Sequence, residues 1–132
     1  RWMSTSENLP LTARYYELHL LAMVGFKPEL QRCVVNGETV CPEDQFFDSE
    51  AGGVVCPSCG LGQRDSYPIT MSALKIMRYL QRSPYDEISD LRLRTVVEVE
   101  LEKVLLRYIT FLLERKLRSV EFLRLVHRTL NG

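Results

Sequence analysis

Residues 33–60 read CVVNGETVCPEDQFFDSEAGGVVCPSCG, and this stretch contains all four cysteines of the 132-residue chain. It ends in CPSCG at residues 56–60, where two thiols are separated by two residues and followed by glycine. This spacing is typical of a tight turn whose backbone N–H groups point at the sulfurs of a bound Zn²⁺. We therefore interpret the stretch as a metal-binding loop.

The beginning of the stretch, CVVNG at residues 33–37, has the shape of a matching first turn, but Asn36 stands where a second cysteine is expected. A neutral amide oxygen is a poor zinc ligand, because it is hard and uncharged. Cys41 follows five residues later, and we expect it to supply the missing sulfur if residues 37–40 bulge. The predicted structural Zn²⁺ site therefore consists of Cys33, Cys41, Cys56 and Cys59.

Three alternatives are consistent with the same cysteines. In the first, the site has decayed and left buried thiols or a Cys33–Cys41 disulfide. In the second, water or Asn36 completes the coordination in place of Cys41. In the third, Cys56 and Cys59 form a redox pair, since Cys-x-x-Cys spacing lowers a thiol pKa. Redox pairs of this kind normally lie at a helix N-terminus in a βαβ unit, whereas two valines precede this pair. A chain with no secretory signal favours reduced, metal-bound cysteines.

Apolar stripes at helical spacing flank the loop on both sides and predict a mainly α fold. We expect a helical bundle with an inserted zinc-ribbon-like cysteine loop and β-hairpin. Thr12 is the predicted N-cap of the first helix, Gly25 its stop, and Ser119 the N-cap of the last helix. The four predicted helices span residues 12–25, 70–82, 95–115 and 119–130.

Two short strands, at residues 45–47 and 54–55, are predicted inside the cysteine loop. In the turn between them, Gly52 and Gly53 are expected to supply positive φ angles. The hairpin would return the CPSCG turn to Cys33. Residues 60–68 are predicted to be a connecting loop, and residues 84–94 a loop with a short helical turn.

The helical stripes also predict the core. Leu18, Leu101 and Leu123 are expected to share one core, and Leu130 is expected to face inward from the last helix. The first helix is apolar at nearly every position, so we expect it to be buried on most sides. We interpret His19 within it as a packed, hydrogen-bonded histidine.

The composition argues against a membrane protein and a secreted one. No apolar run approaches the roughly 20 residues needed to span a bilayer, and no apolar signal region follows the N-terminus. The 45% hydrophobic and 26% charged content is that of an ordinary globular domain. We expect one domain over residues 1–132 with a zinc-finger-like insertion at residues 33–60, in the cytoplasm at the nucleoid. Arg1 in place of Met predicts a piece of a longer chain.

The charges are unevenly distributed although the formal net charge is zero. Residues 66–132 carry twelve basic and eight acidic side chains, a net charge of +4. Three cations lie on one face of the second predicted helix at i, i+3 and i+7, which suits a polyanion. The alternative is a solvated helical surface. The predicted nucleic-acid-binding residues are Lys75, Arg78, Arg82, Arg115, Lys116, Arg118, Arg124 and Arg128.

The sequence shows no arrangement of residues that predicts catalysis. It has two histidines far apart, no nucleophile-elbow motif and no phosphate-binding glycine-rich loop. We therefore expect a protein that is not an enzyme.

Several short segments together resemble the bacterial DNA repair and recombination protein O (RecO) family. They are YELHLL at residues 16–21 with Gly25, Pro28, Leu30 and Cys33, then GGVVC at residues 52–56 with Cys59, then LRS at residues 117–119 with Phe122 and Leu123. The resemblance covers residues 15–130. Members have an N-terminal OB-fold followed by a helical domain with a cysteine loop, so the resemblance implies the C-terminal part without the OB-fold.

The resemblance also implies a DNA-binding recombination mediator. Such proteins bind single- and double-stranded DNA, anneal strands coated with single-strand-binding protein, and help load the recombinase with recombination proteins R and F. The alternative is a zinc-pinned protein-interaction scaffold without DNA binding of its own. Asn36 departs from the usual first Cys-x-x-Cys pair of the family, which bears on zinc binding and not on the fold.

Overall fold

The chain is mainly α-helical with one small sheet in this computed structural model, which describes residues 9–61, 66–117 and 120–131. None of the helices in these ranges is long and apolar enough to cross a membrane. The elements are α1 (Leu9–Met23), β1 (Gln45–Asp48), β2 (Gly53–Val55), α2 (Pro57–Gly60), β3 (Ser66–Ile69), α3 (Met71–Arg82), α4 (Tyr85–Ile88), α5 (Thr95–Leu117) and α6 (Val120–Asn131).

The sheet has three antiparallel strands in the order β2-β1-β3. Phe46 pairs with Val55 and Phe47 with Val54, which confirms the predicted hairpin. The predicted loop over residues 60–68 is wrong for residues 66–68, because they pair with β1 as part of β3, and residues 62–65 lie outside the described residues. Pro68 weakens the strand signal of this segment, yet an edge strand tolerates proline. β3 is such an edge strand, since only β1 lies beside it.

The turn between β1 and β2 uses its two glycines differently from the prediction. Gly52 has a φ of +79°, whereas Gly53 does not adopt a positive φ. Gly53 instead lies against the backbone of Glu29, and a Cβ added to it would be 2.6 Å from the Glu29 carbonyl oxygen. The Val54 N–H donates to the same oxygen at 2.8 Å. Gly53 therefore permits the segment after α1 to pack directly on the sheet.

The core lies where α1, α3 and α5 meet one another and cover the sheet. Leu18 and Leu101 are both buried in it, as predicted. The side chain of Leu123 lies outside the described residues. Leu130 is 79% exposed, so the prediction that it faces inward is wrong. Fully buried side chains from the three helices and the sheet include Leu18, Phe47, Val54, Ile69, Leu74, Met77, Leu80, Leu101 and Leu105.

Helix α1 begins at Leu9, so Thr12 lies within the helix and is not its N-cap. The hydroxyl of Thr12 is 3.0 Å from the hydroxyl of Tyr85 in α4. Tyr16, Leu20 and Met23 are exposed, and the prediction of burial on most sides is therefore wrong.

His19 ties α1 to α3. Its Nε2 donates to the Leu80 carbonyl oxygen at 2.9 Å, which confirms the interpretation of a packed, hydrogen-bonded histidine.

The start of α3 is held by its own cap and by two acidic side chains from other segments. Thr70 is the N-cap, and its hydroxyl oxygen accepts from the Ala73 N–H at 3.2 Å. The Glu100 carboxylate of α5 accepts from the Thr70 N–H and hydroxyl at 2.7 Å each. Asp44 of the cysteine loop accepts from the Met71 N–H at 2.8 Å. The basic face of α3 is thereby fixed relative to α5 and the cysteine loop. Ser119, the predicted cap of α6, lies outside the described residues.

Candidate metal centre and cationic surface

Three of the four cysteines converge at the end of the sheet. The Sγ atoms of Cys33, Cys56 and Cys59 all lie within 4.8 Å of one another. Cys56 directly follows β2, and Cys59 lies in the short helix α2 after it. The Val34 N–H donates to the Val54 carbonyl at 2.9 Å, and the Cys56 N–H points at Cys33 Sγ at 3.4 Å. The hairpin thus returns the CPSCG turn to Cys33, as predicted.

The segments at residues 33–37 and 56–60 form two equivalent turns. The Gly37 N–H donates to the Cys33 carbonyl at 2.8 Å, and the Gly60 N–H donates to the Cys56 carbonyl at the same distance. Gly37 adopts a φ of +79°, which the first turn requires and which glycine allows without strain. In this equivalence Asn36 occupies the position that Cys59 occupies in the second turn.

The Asn36 side chain faces the sulfurs with its nitrogen. Its Nδ2 lies 3.5 Å from Cys56 Sγ and 3.6 Å from Cys59 Sγ, while its Oδ1 accepts from the Glu38 N–H at 2.8 Å. An amide N–H donates hydrogen bonds and cannot bind a cation. In this orientation Asn36 stabilises negative charge on the sulfurs without serving as a ligand.

The structure does not bring Cys41 to the other three sulfurs, contrary to the prediction. The Cys33 N–H donates to the Glu38 carbonyl at 2.8 Å, and Arg32 pairs antiparallel with Thr39. The chain therefore folds back tightly after Cys33 and does not bulge. Continued at about 3.3 Å per residue, this pairing carries Cys41 about 10 Å away from Cys33. Cys41 is exposed.

The two thiols of the CPSCG turn differ in acidity. A hydrogen bond with the Ser58 hydroxyl, 3.3 Å from Cys56 Sγ, is the main cause that lowers the pKa of Cys56 to about 7. The hydrogen bond with Cys56 raises the pKa of Cys59 to about 11. In this pair Cys56 therefore loses its proton before Cys59 as the pH rises.

The three clustered cysteines fit a zinc ion. Zn–S bonds of about 2.3 Å in a tetrahedron place neighbouring sulfurs about 3.8 Å apart, which is compatible with three sulfurs that lie within 4.8 Å of one another. The Cys56 N–H also points at the Cys33 sulfur, and such a hydrogen bond stabilises a thiolate. The three thiolates of Cys33, Cys56 and Cys59 would hold the metal, with the Asn36 amide beside two of them.

The cations of α3 form one face of a helix that contains no acidic residue. Lys75 and Arg82 are exposed, and the Arg82 guanidinium lies 5.5 Å from the centre of the Tyr79 ring. Arg78 is half-buried, and its Nε donates to the Leu30 carbonyl at 2.8 Å. Of the three predicted residues, Arg78 thus also holds the segment after α1 in place.

Of the other predicted cations, Arg115 and Lys116 lie on α5, and Arg124 and Arg128 lie on α6. Arg115 is exposed, with Nη2 3.7 Å from Glu50 Oε2 and its guanidinium 5.0 Å from the centre of the Phe111 ring. Arg124 and Arg128 are exposed on α6, which packs against α5. The side chain of Lys116 and all of Arg118 lie outside the described residues.

Two further exposed cations, Lys27 and Arg32, lie in the segment that Arg78 holds against α3. Neither was predicted to belong to the cationic surface. Each is isolated in the sequence and lies on no predicted helix face, so no local pattern indicates it. Only the contact between this segment and α3 reveals them.

The comparisons with known proteins identify the family to which the chain is similar. Residues 1–121 match the family described as Recombination protein O C terminal. The DNA repair protein RecO of Roseiflexus sp. (strain RS-1) is 35% identical over 93% of this chain and 44% of its own length. The DNA repair protein RecO of Dehalococcoides mccartyi is 34% identical over 86% of this chain and 44% of its own length. The DNA repair protein RecO of Symbiobacterium thermophilum is 33% identical over 83% of this chain and 44% of its own length.

No solved structure matches the chain. The chain spans less than half the length of each of these curated relatives, all of which are named DNA repair proteins. The resemblance seen in the sequence is confirmed, and the chain belongs to the family of the recombination protein O C-terminal domain.

Proposed function

We propose that this chain is the DNA-binding C-terminal part of a recombination mediator that acts in DNA repair without catalysis. The observation that carries the proposal is the family match over residues 1–121. The acid-free basic face of α3 and the exposed arginines of α5 and α6 support it. In the longer protein this domain would follow an OB-fold.

The whole protein would bind single- and double-stranded DNA and anneal complementary strands. It would help load the recombinase on DNA coated with single-strand-binding protein, with that protein and recombination protein R as partners. This role places it in the cytoplasm, at the nucleoid. Cations that contact phosphates release counterions, so affinity is expected to fall steeply with salt and to show little sequence preference.

We also propose a structural Zn²⁺ ion bound by Cys33, Cys56 and Cys59, which makes the loop zinc-ribbon-like. The metal would join the two equivalent turns, at residues 33–37 and 56–60, and hold the hairpin closed. Cys41, which the sequence also suggested, has no part in this proposal because it lies away from the cluster.

The experiment that tests DNA binding uses fluorescence anisotropy of labelled single strands and duplexes at increasing salt. Lys75→Glu with Arg82→Glu is expected to weaken binding and to reduce the salt slope by about 2, one unit for each phosphate contact. Lys103→Glu, an exposed cation on α5, is the matched control. Equal effects of the double variant and the control would show that the basic face is only a solvated surface.

The second candidate is a zinc-pinned protein-interaction scaffold. The exposed apolar side chains Tyr16, Leu20 and Met23 on α1 favour it, since such a stripe on a helix suits a protein partner. A chain that binds no DNA even at low salt would support the scaffold against the DNA-binding proposal.

A further inference from the structure

Two adjacent clefts on this domain share a lysine. The larger, of about 500 Å³, lies between the segment after α1, the turn between β1 and β2, and the C-terminal part of α5. The smaller, of about 370 Å³, is lined by residues 27–32 and Gln81 of α3. Lys27 is exposed and lines both clefts. The two clefts therefore adjoin at Lys27.

The larger cleft combines a cation with aromatic rings. Phe26, Tyr108 and Phe111 line it, and the Arg115 guanidinium lies 5.0 Å from the centre of the Phe111 ring. An arginine over an aromatic ring is a platform on which a nucleic-acid base can stack. Phe111 is half-buried and lines this cleft.

The smaller cleft lies next to the basic face of α3. Arg78 Nε donates to the Leu30 carbonyl at 2.8 Å, and Gln81 Nε2 donates to the Pro28 carbonyl at 3.1 Å. These two bonds hold residues 27–32, with the exposed Lys27 and Arg32, against α3. The Arg32 guanidinium also donates from Nη1 to the Gly37 carbonyl at 3.3 Å.

Glu29, the acidic residue of the smaller cleft, is engaged by the backbone. Its Oε2 accepts from the Gln31 N–H at 2.9 Å and from the Arg32 N–H at 3.0 Å. These bonds offset part of its charge, so the cleft stays favourable for an anion.

We infer that the two clefts form one track for a single-stranded nucleic acid, with Arg32, Lys27 and Arg115 contacting successive phosphates and Phe111 stacking on a base. The inference rests on the proposed DNA binding and names its path and its substrate class. A single strand is the occupant because a base can reach the Phe111 ring only when it is unstacked from its neighbours. Duplex DNA could use the cations but not the ring.

The carboxylate of Glu50 lies at one end of this track and would repel the phosphates of a bound strand. Its carboxylate lies 3.7 Å from Arg115, and both side chains are more than half exposed, at 55% and 57%. Such an exposed ion pair is weak, and a phosphate competes with the carboxylate for the arginine. Removing the Glu50 charge should therefore strengthen binding.

The test measures anisotropy of fluorescein-labelled oligo-dT and of a duplex of equal length, with the full chain, at several salt concentrations. Lys27→Glu and Arg32→Glu are each expected to weaken single-strand binding about 3- to 10-fold and to lower the salt slope by about 1. Lys103→Glu is the control, because Lys103 lies about 18 Å from Arg115 along α5. Thermal unfolding confirms that each variant is folded, and Lys27→Gln and Arg32→Gln replace any that is not.

Two further variants separate stacking from charge. Phe111→Leu should weaken oligo-dT binding more than duplex binding and leave the salt slope unchanged, whereas Glu50→Gln should strengthen binding of both. If Lys27→Glu and Arg32→Glu behave like Lys103→Glu in a chain that binds DNA, the track is wrong while the proposed function stands. If Phe111→Leu affects single strand and duplex equally, the single-strand assignment is wrong. A wild-type chain that binds no DNA overturns both the track and the proposed function.

Discussion

Asn36 occupies the position in the turn at residues 33–37 that Cys59 occupies in the turn at residues 56–60. Its amide nitrogen lies 3.5 Å and 3.6 Å from two sulfurs, and its oxygen is engaged by the Glu38 N–H. The fourth position of a metal bound at this cluster is therefore not closed by a thiolate. A zinc site with three protein ligands keeps an exchangeable position, whereas a closed four-ligand site does not.

A substitution at this residue tests the arrangement. Asn36→Cys is expected to add a fourth thiolate and to slow zinc release to a chromophoric chelator, measured beside the metal content by elemental analysis. Cys56→Ser should lower the metal content, because it removes one of three clustered sulfurs. Cys41→Ser is the control and should leave both measurements unchanged. A loss of metal on Cys41→Ser as large as that on Cys56→Ser would contradict the arrangement.

Helix α5 has one buried and one exposed face, although both carry apolar residues. Leu101, Leu105 and Tyr108 are buried on one side of it, and Leu106 is 62% exposed on the other. The sequence alone predicts an apolar stripe on this helix. However, α5 also carries apolar residues outside that stripe, such as Leu106. Which apolar residues are buried depends on where α1 and α3 pack.

Truncation of leucine to alanine should change the free energy of unfolding by different amounts on the two faces of α5. Leu101→Ala should lower the free energy of unfolding by roughly 2 to 5 kcal/mol, because it leaves a cavity in the core. The matched control is Leu106→Ala, which should change it by only about 0.5 kcal/mol, as for other surface positions. Urea denaturation followed by circular dichroism measures both values. Similar costs for the two variants would show that α5 is not oriented as described.

In the whole molecule, the helical core and the cysteine cluster stabilise different parts of the fold. The core joins α1, α3 and α5 with the sheet, and the cluster closes the far end of the hairpin. The main cluster of core side chains includes none of the three cysteines, although Cys33 is itself buried. Metal binding and helix packing should therefore be separable in experiment.

Removal of the metal tests this separation. Chelation is expected to lower the melting temperature, because a ligand of the folded state no longer stabilises it. The far-UV circular dichroism at 25 °C should keep its helical signal, since the helices pack without the cluster. Loss of the helical signal on chelation would mean that the metal is required for the fold, as in zinc fingers that unfold without it.

Local sequence determined those features that depend on neighbouring residues. The apolar periodicity predicts α3 and α5 within about two residues, and the CPSCG spacing predicts a thiol-rich turn. The missed features depend on pairing between segments. β3 becomes a strand because an edge position beside β1 tolerates Pro68.

The tertiary structure alone decided which residues lie together in the cysteine cluster and in the segment held against α3. Cys41 has a suitable spacing in the sequence, but the pairing of Arg32 with Thr39 directs it away from the cluster. Lys27 and Arg32 show no pattern in the sequence, yet the bond from Arg78 to Leu30 places them beside α3. Periodicity and spacing report contacts within one helix or one turn. Contacts between segments depend on which surfaces meet when the core forms, and no local pattern contains that information.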